Sequence, residues 1–183
     1  IDKSQIDARE VDTSLGATMV FAAATSDKLG LISILLQFGA DVDPVLSVGA
    51  TPLFLIGDEP GHYEIARLLL EWGAEISNIP ALRNSGRPPK DEFFHLALAD
   101  GNDKLADLLG SELGGRRCEV VGLATRPELN GKTCVVEKFL PDKGRYKIIF
   151  EGSGEAALVS RENLKRRDRT PTDCGYYISY EKG

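Results

Sequence analysis

The stretch LLQFGADVDPVLSVGATPLF, Leu35–Phe54, contains short motifs that recur elsewhere in the chain. Three motifs return at a spacing of 33 or 34 residues: Leu35-Leu36 as Leu69-Leu70, Gly39-Ala40 as Gly73-Ala74, and Gly16-Ala17-Thr18 as Gly49-Ala50-Thr51. A period of about 33 residues is typical of a repeat built from a turn and two helices. The sequence therefore predicts stacked helix pairs.

The residue types of the second copy suit such a helix pair. Thr51-Pro52 predicts the start of the first helix, because Thr is a good N-cap and Pro fits a first turn that needs no amide donor. Ile65, Leu68 and Leu69 follow at the spacing of one apolar helix face. Gly73 then predicts the end of the second helix, where a left-handed residue is needed.

These motifs resemble the ankyrin repeat, whose pattern reads roughly G-x-TPLH-x-AA-x-x-GH-x-x-IV-x-x-LL-x-x-GA. Copy two matches it at Gly49, Thr51-Pro52-Leu53, Gly61-His62, Ile65, Leu69-Leu70 and Gly73-Ala74. Copy one keeps the second-helix motifs but has Met19-Val20-Phe21 in place of PLH, and a degenerate third copy runs from Phe94 to Leu109. The resemblance covers about residues 10–113 and implies a short α-helical stack.

The resemblance also implies where partners bind, since ankyrin repeats use their protruding turn tips and the exposed side of their first helices. The implied residues are Val45, Leu46 and Ser47 at one tip, Leu82, Arg83 and Arg87 in the lengthened loop before the third copy, and Leu55 and Leu96 on first helices. Apolar side chains exposed at a polar tip would anchor a partner by leaving water. Phe38 and Trp72 share one repeat position, and we expect them to stack on each other.

The chain changes character after Gly114-Gly115. Residues 1–115 hold 8 Lys and Arg against 18 Asp and Glu, a net charge of −10, whereas 116–183 hold 14 against 10, a net charge of +4. Alternating apolar residues predict five short strands, at Cys118–Leu123, Thr133–Leu140, Arg145–Phe150, Ala156–Val159 and Leu164–Arg167, with Tyr176–Tyr180 as a further candidate. So few short strands favour a small closed barrel. We expect an α+β protein of two domains, 1–115 and 116–168, followed by an extended tail or extra strand at 169–183.

Three motifs in the second part resemble an SH3-like barrel module found beside ankyrin repeats in algal and protist proteins. They are Arg126-Pro127-Glu128-Leu129-Asn130-Gly131, Gly144-Arg145-Tyr146 and Glu162-Asn163-Leu164. The resemblance covers about residues 117–166. It implies a binding or spacing module without catalytic activity.

Two motifs resemble those of nucleotide-binding enzymes but lack features that such sites require. Gly152–Ala157 fits GxGxxA, but the residues after it are too few and too strand-like for a dinucleotide-binding unit. Gly131-Lys132-Thr133 lacks the glycine that a phosphate-binding loop has five residues earlier, since Arg126 stands there. We therefore expect no enzyme activity, no small-molecule substrate, no cofactor and no metal site.

The strongest basic run comprises Lys165, Arg166, Arg167 and Arg169. One interpretation is contact with phosphates or anionic lipid headgroups, which would allow peripheral membrane association. The other is a solvated strand end, or docking against the acidic ankyrin part of the same chain. The net charge of residues 116–183 is only +4, which provides little electrostatic attraction for nucleic acid.

Together these features favour an adaptor or scaffold that binds proteins through the ankyrin tips and the barrel. The alternatives are an accessory subunit of a large assembly, such as a chloroplast membrane complex, and a chromatin or RNA reader. Three cysteines without a CxxC pair suit a reducing compartment, cytoplasmic or organellar. No apolar run reaches the roughly 18–20 residues of a membrane span. Because the sequence starts at Ile1 rather than Met, preceding residues and the compartment stay open.

Overall fold

A computed structural model describes residues 18–56, 62–80, 86 and 88–173. The helices are α1 Met19–Thr25, α2 Leu29–Gln37, α3 Pro52–Leu55, α4 Tyr63–Glu71, α5 Pro89–Ala99 and α6 Asp103–Leu109. The strands are β1 Arg117–Val120, β2 Thr133–Leu140, β3 Arg145–Phe150, β4 Ala156–Val159 and β5 Leu164–Arg166. None of the helices in these ranges combines the length and apolar character that a membrane crossing demands.

The helices form three pairs, and the predicted ends of copy two are confirmed. The Thr51 hydroxyl accepts a hydrogen bond from the Phe54 amide at 3.3 Å, with Pro52 opening α3. Gly73 follows α4 with φ +95°, a left-handed conformation that costs glycine little. The degenerate third copy also folds as a helix pair, since α5 packs on α6.

One apolar core runs through all three pairs. It contains Ile32 and Leu36 from α2, Leu68 from α4, and Phe93 and Leu105 from the third pair. Each second helix packs on the next, α2 on α4 and α4 on α6, as expected of stacked repeats. The expected stacking of Phe38 on Trp72 is wrong, because Trp72 is buried in this core while Phe38 is exposed.

The strands form one antiparallel sheet in the order β4-β3-β2-β1-β5. The predicted bounds of β2, β3 and β4 are confirmed. Strand β1 runs from Arg117 to Val120 rather than from Cys118 to Leu123, and β5 ends at Arg166 rather than Arg167. The expected closure into a barrel is not confirmed, because β4 and β5 lie at opposite edges of an open sheet. The strand expected at 176–180, and all of the tail beyond Asp173, lie outside the described residues.

The sheet buries a second apolar core on one face. Cys118 and Val120 of β1, Ile148 of β3, Val159 of β4 and Leu164 of β5 belong to it. Alternate residues of β3 are buried, which is the period-two pattern of a strand with one covered face. Both edge strands therefore contribute to the same core, β4 through Val159 and β5 through Leu164.

The helical core is followed by the sheet core between Leu109 and Leu113, just before Gly114-Gly115. Leu109 belongs to the helical core and Leu113 to the sheet core. The Gly115 amide donates to the Val136 carbonyl of β2 at 2.9 Å, which ties the end of the helical part to the sheet. A division of the chain into domains at residue 115 remains a prediction.

Candidate protein-interaction surface

The tip turn, Val45–Gly49, connects the first and second helix pairs. It is closed by two backbone hydrogen bonds, from the Leu46 amide to the Ala50 carbonyl at 2.9 Å and from the Gly49 amide to the Leu46 carbonyl at 2.8 Å. Gly49 has φ +82°, so this position of the turn favours glycine. The turn is therefore a defined structure that holds its side chains in fixed directions.

The tip turn exposes two valines above a buried leucine. Val45 is 39% exposed and Val48 is 61% exposed, with exposed Ser47 between them in sequence. The expected exposure of Leu46 is wrong: it is 6% exposed and packs with Phe21 and Ala50. Leu46 therefore anchors the turn, and Val48, which the sequence reading missed, takes its place at the surface. The feature of the sequence that could have indicated the exposure of Val48 is its position directly before Gly49 in the turn.

The remaining residues implied by the ankyrin resemblance fall in different settings. Leu55 on α3 is half-buried against the cluster that holds Leu46, whereas Leu96 on α5 is exposed, as is Leu98. Leu82, Arg83 and Arg87 lie outside the described residues. Of the predicted binding residues, the structure places Val45 and Ser47 together on the tip turn and Leu96 on a separate first helix.

The basic run is held against acidic groups of the same chain. Arg166 pairs with Glu75 of the helical part at 2.5 Å and with Asp168 at 2.7 Å. Arg169 is buried and pairs with Glu71 of α4 and with Glu151. Arg167 pairs with Glu119 at 3.4 Å, while Lys165 is exposed on β5. Arg166 and Arg169 therefore fit the docking interpretation of this run, whereas Lys165 and Arg167 are exposed to solvent.

These contacts belong to a junction charge cluster, which we define as Glu71, Glu75, Arg116, Arg166, Asp168 and Arg169. Arg116 is buried and donates to the Leu70 carbonyl at 3.3 Å and to Glu75 at 3.4 Å. Burial raises the pKa of the Glu71 carboxyl, while the cations of Arg67 and Arg169 act in the opposite direction. The acidic helical part and the basic sheet part are thus held together by partly buried ion pairs.

An ion pair outside the junction charge cluster also connects the helical part to the sheet part, close to Gly114-Gly115. The Arg161 guanidinium donates to both carboxylate oxygens of Glu112, at 2.9 and 2.6 Å. This fork geometry lowers the pKa of Glu112 and raises that of Arg161. Because both side chains are exposed, the pair contributes orientation more than stability.

Asp43 extends this junction into the first repeat. Its Oδ2 accepts a hydrogen bond from the Glu75 amide at 2.7 Å, which links the loop after α2 to the residue that holds Arg116 and Arg166. Burial raises the pKa of Asp43 to about 6, although that hydrogen bond lowers it. Asp43 is therefore expected to titrate well above the usual range of an aspartate.

The raised pKa of Asp43 gives a pH dependence of stability. The folded protein holds the Asp43 proton up to about pH 6, whereas an unfolded chain releases it near pH 4. The stabilisation from that proton is complete below about pH 4 and is lost as the pH rises to about 6. We expect wild type to gain on the order of 1 kcal/mol over Asp43→Asn between pH 6 and pH 4, after allowance for partial exposure.

Urea unfolding at several values between pH 4 and pH 7 checks this expectation. Asp100→Asn, at an exposed position after α5, is the control and should follow wild type across the range. Parallel pH profiles for wild type and Asp43→Asn would contradict the raised pKa.

Comparison with known proteins places ankyrin repeats in the first part of the chain. Residues 2–79 match the family model described as ankyrin repeats (3 copies). No curated protein matches the chain significantly. Residues 2–79 therefore carry ankyrin repeats, and such repeats indicate a role in protein–protein interaction. The match starts before the predicted residue 10 and ends before the third helix pair and the sheet, so it does not confirm the SH3-like module.

Proposed function

We propose that this protein is a non-enzymatic interaction adaptor in which the tip turn binds a protein partner. The sheet, residues 116–168, serves as a module of fixed orientation against the helical part, residues 1–115. Its strand order and a core shared by both edge strands support an SH3-like fold that remains open at its edges. The junction charge cluster supports a fixed rather than a swinging attachment.

The observation that carries this proposal is the exposure of Val45 and Val48 on a turn anchored by Leu46. Exposed apolar side chains are common singly, but two on one defined turn form a small apolar platform with a polar rim. Because the turn is already ordered, a partner loses little conformational entropy there on binding. Burial of the valines would then stabilise the complex.

The chromatin or RNA reader is disfavoured by the ion pairs of the basic run. Arg166, Arg167 and Arg169 all contact carboxylates of this chain, so a phosphate would have to displace them. The accessory-subunit alternative would dock onto neighbouring proteins through the sheet module and the segment 169–183. The two differ in whether one partner is held stoichiometrically or several are held weakly.

Affinity capture with the whole chain tests the proposal, since the junction charge cluster argues against separating the two parts. The test variant is Val45→Asp/Val48→Asp, and the control is Leu158→Asp, at an exposed apolar position on β4. We expect the tip variant to bind the captured proteins at least tenfold more weakly than wild type. The control should bind normally, and all three proteins should unfold at similar temperatures because the altered side chains are exposed.

The outcome separates the candidate functions. Several substoichiometric proteins lost with the tip variant support the adaptor, whereas one stoichiometric complex supports the accessory subunit. Proteins lost with Leu158→Asp but retained by the tip variant would contradict the proposal and assign binding to the sheet. Nucleic acid that binds wild type in a salt-dependent way would favour the reader instead.

A further inference from the structure

The hairpin formed by β2 and β3 carries an excess of positive charge around its turn. Residues 137–147 contain four Lys and Arg against two Asp and Glu, a net charge of +2 in a chain whose net charge is −6. One of the four cations, Lys147, forms an ion pair with Glu137 at 2.6 Å. The whole hairpin lies well inside the longest described range, 88–173. It is therefore a defined positive region on an otherwise acidic protein.

The other three cations are exposed and form no ion pair with any residue that the structure describes. They are Lys138, Lys143 and Arg145, which we define as the basic hairpin surface. Every other arginine between residues 116 and 169 contacts a carboxylate of this chain. Arg145 is thus the exception among the arginines of the sheet part, and two unpaired lysines lie in the same hairpin.

The strand register brings these like charges close together. Lys138 lies directly opposite Lys147 in the β2–β3 pair, just after a bulge. Arg145 precedes Lys147 by two residues, so the two side chains project from the same face of the sheet. Like charges at opposite positions destabilise an antiparallel pair, and Glu137 is the ion-pair partner of Lys147 alone. A carboxylate bound at this face would offset the remaining repulsion.

The backbone that carries the basic hairpin surface is ordered by the sheet core. The Gly144 amide donates a hydrogen bond to the Pro141 carbonyl at 3.1 Å, which closes the turn between the strands. Behind the turn, the rings of Phe139 and Tyr146 pack together with their centroids 4.9 Å apart, and Tyr146 is buried in the sheet core. The cations are thus presented from a formed hairpin, so binding requires little ordering of the backbone.

We propose that the basic hairpin surface binds a short acidic segment of a partner protein. Ammonium and guanidinium groups pair with Asp and Glu carboxylates, so the three cations complement closely spaced acidic residues. A short segment fits better than nucleic acid or an anionic membrane, because an extended polyanion would also meet the field of residues 1–115, whose net charge is −10. This surface lies on the sheet part and is separate from the tip turn, so it adds a second binding surface to the proposed adaptor.

Fluorescence anisotropy of a short labelled oligoglutamate peptide, titrated with the whole chain, tests the proposal. Wild type should bind the peptide at low ionic strength, and the affinity should fall as salt is added because exposed charges are screened. The hairpin variant Lys138→Glu/Lys143→Glu/Arg145→Glu should bind at least tenfold more weakly, since repulsion replaces attraction at all three positions. It should unfold at the same temperature as wild type because the altered side chains are exposed.

The matched control is Lys28→Glu/Lys132→Glu/Lys165→Glu, which changes the net charge by the same amount at exposed lysines elsewhere on the chain. Its affinity for the peptide should stay within about threefold of that of wild type, because charges beyond the Debye length are screened. Equal weakening by the two variants would mean that net charge rather than the hairpin governs binding, and would overturn the proposal. A wild type that does not bind the peptide would overturn it as well.

Three further titrations identify the occupant. A DNA duplex, or vesicles that contain phosphatidylserine, might be bound more tightly than the peptide and lost in the hairpin variant; either result would assign the surface to phosphates and overturn the proposal. The third uses Asp58→Asn/Glu59→Gln, in an acidic segment of this chain outside the described residues. If that segment occupied the hairpin, the variant would bind the peptide more tightly than wild type, and the proposal would be overturned. Unchanged affinity in this variant supports a partner protein as the occupant.

Discussion

Gly114→Ala is expected to destabilise the protein by about 4 kcal/mol, the largest effect of any small substitution at the junction. A β-carbon at this position would lie 1.7 Å from the Leu108 carbonyl oxygen and 2.8 Å from the Leu108 carbonyl carbon. Both are backbone atoms near the end of α6, so neither can rotate away. The junction would have to open, which would separate the helical core from the sheet core.

Gly144→Ala is the matched control for this substitution. Gly144 also lies in a turn, with φ +60°, but a β-carbon there would meet nothing within 4 Å. Its replacement should cost only the backbone strain of a left-handed residue, about 1 kcal/mol. Urea unfolding of both variants checks the expectation, and equal losses of free energy would contradict the steric account of the junction.

Glu71→Ala is expected to destabilise the protein by about 3 kcal/mol. Glu71 is fully buried at the end of α4, where its carboxylate pairs with Arg67 at 3.2 Å and with Arg169 at 3.7 Å. Removal of Glu71 leaves buried Arg169 with Glu151 as its remaining carboxylate partner, so its charge is less well compensated in a medium of low polarity. The Glu71 carbonyl also accepts a hydrogen bond from the Arg169 amide at 2.9 Å. Glu71 therefore lies where the helical part and the sheet part are in contact.

Glu64→Ala, on the same helix, is the control. Glu64 also pairs with Arg67, at 3.5 Å, but its side chain is largely exposed. An exposed pair contributes less than about 1 kcal/mol, so this variant should unfold close to wild type. Thermal and urea unfolding distinguish the two outcomes. If Glu64→Ala lowered the free energy of unfolding as much as Glu71→Ala, burial would not explain the contribution of the junction charge cluster to stability.

The helix pairs and most strands could be predicted from the sequence, because their signals are local. Thr51-Pro52 and Gly73 mark helix ends through the conformations that those residues favour, and alternation marked β3 residue for residue. The change of charge also predicts a boundary at Gly114-Gly115, close to Leu113, which belongs to the sheet core. The repeat spacing similarly directed attention to the tip turn, where Val45 is exposed.

Which side chains of these elements are exposed to water, and which charges form ion pairs, depends on the tertiary structure. Leu46 and Val48 are both apolar members of one turn, and only the packing of Phe21 and Ala50 beneath it buries the first and leaves the second exposed. The basic run had two open interpretations until Glu71 and Glu75, about 95 residues earlier in the chain, were placed beside Arg169 and Arg166. Burial and charge pairing depend on contacts between residues far apart in sequence, and a local pattern carries no information about them.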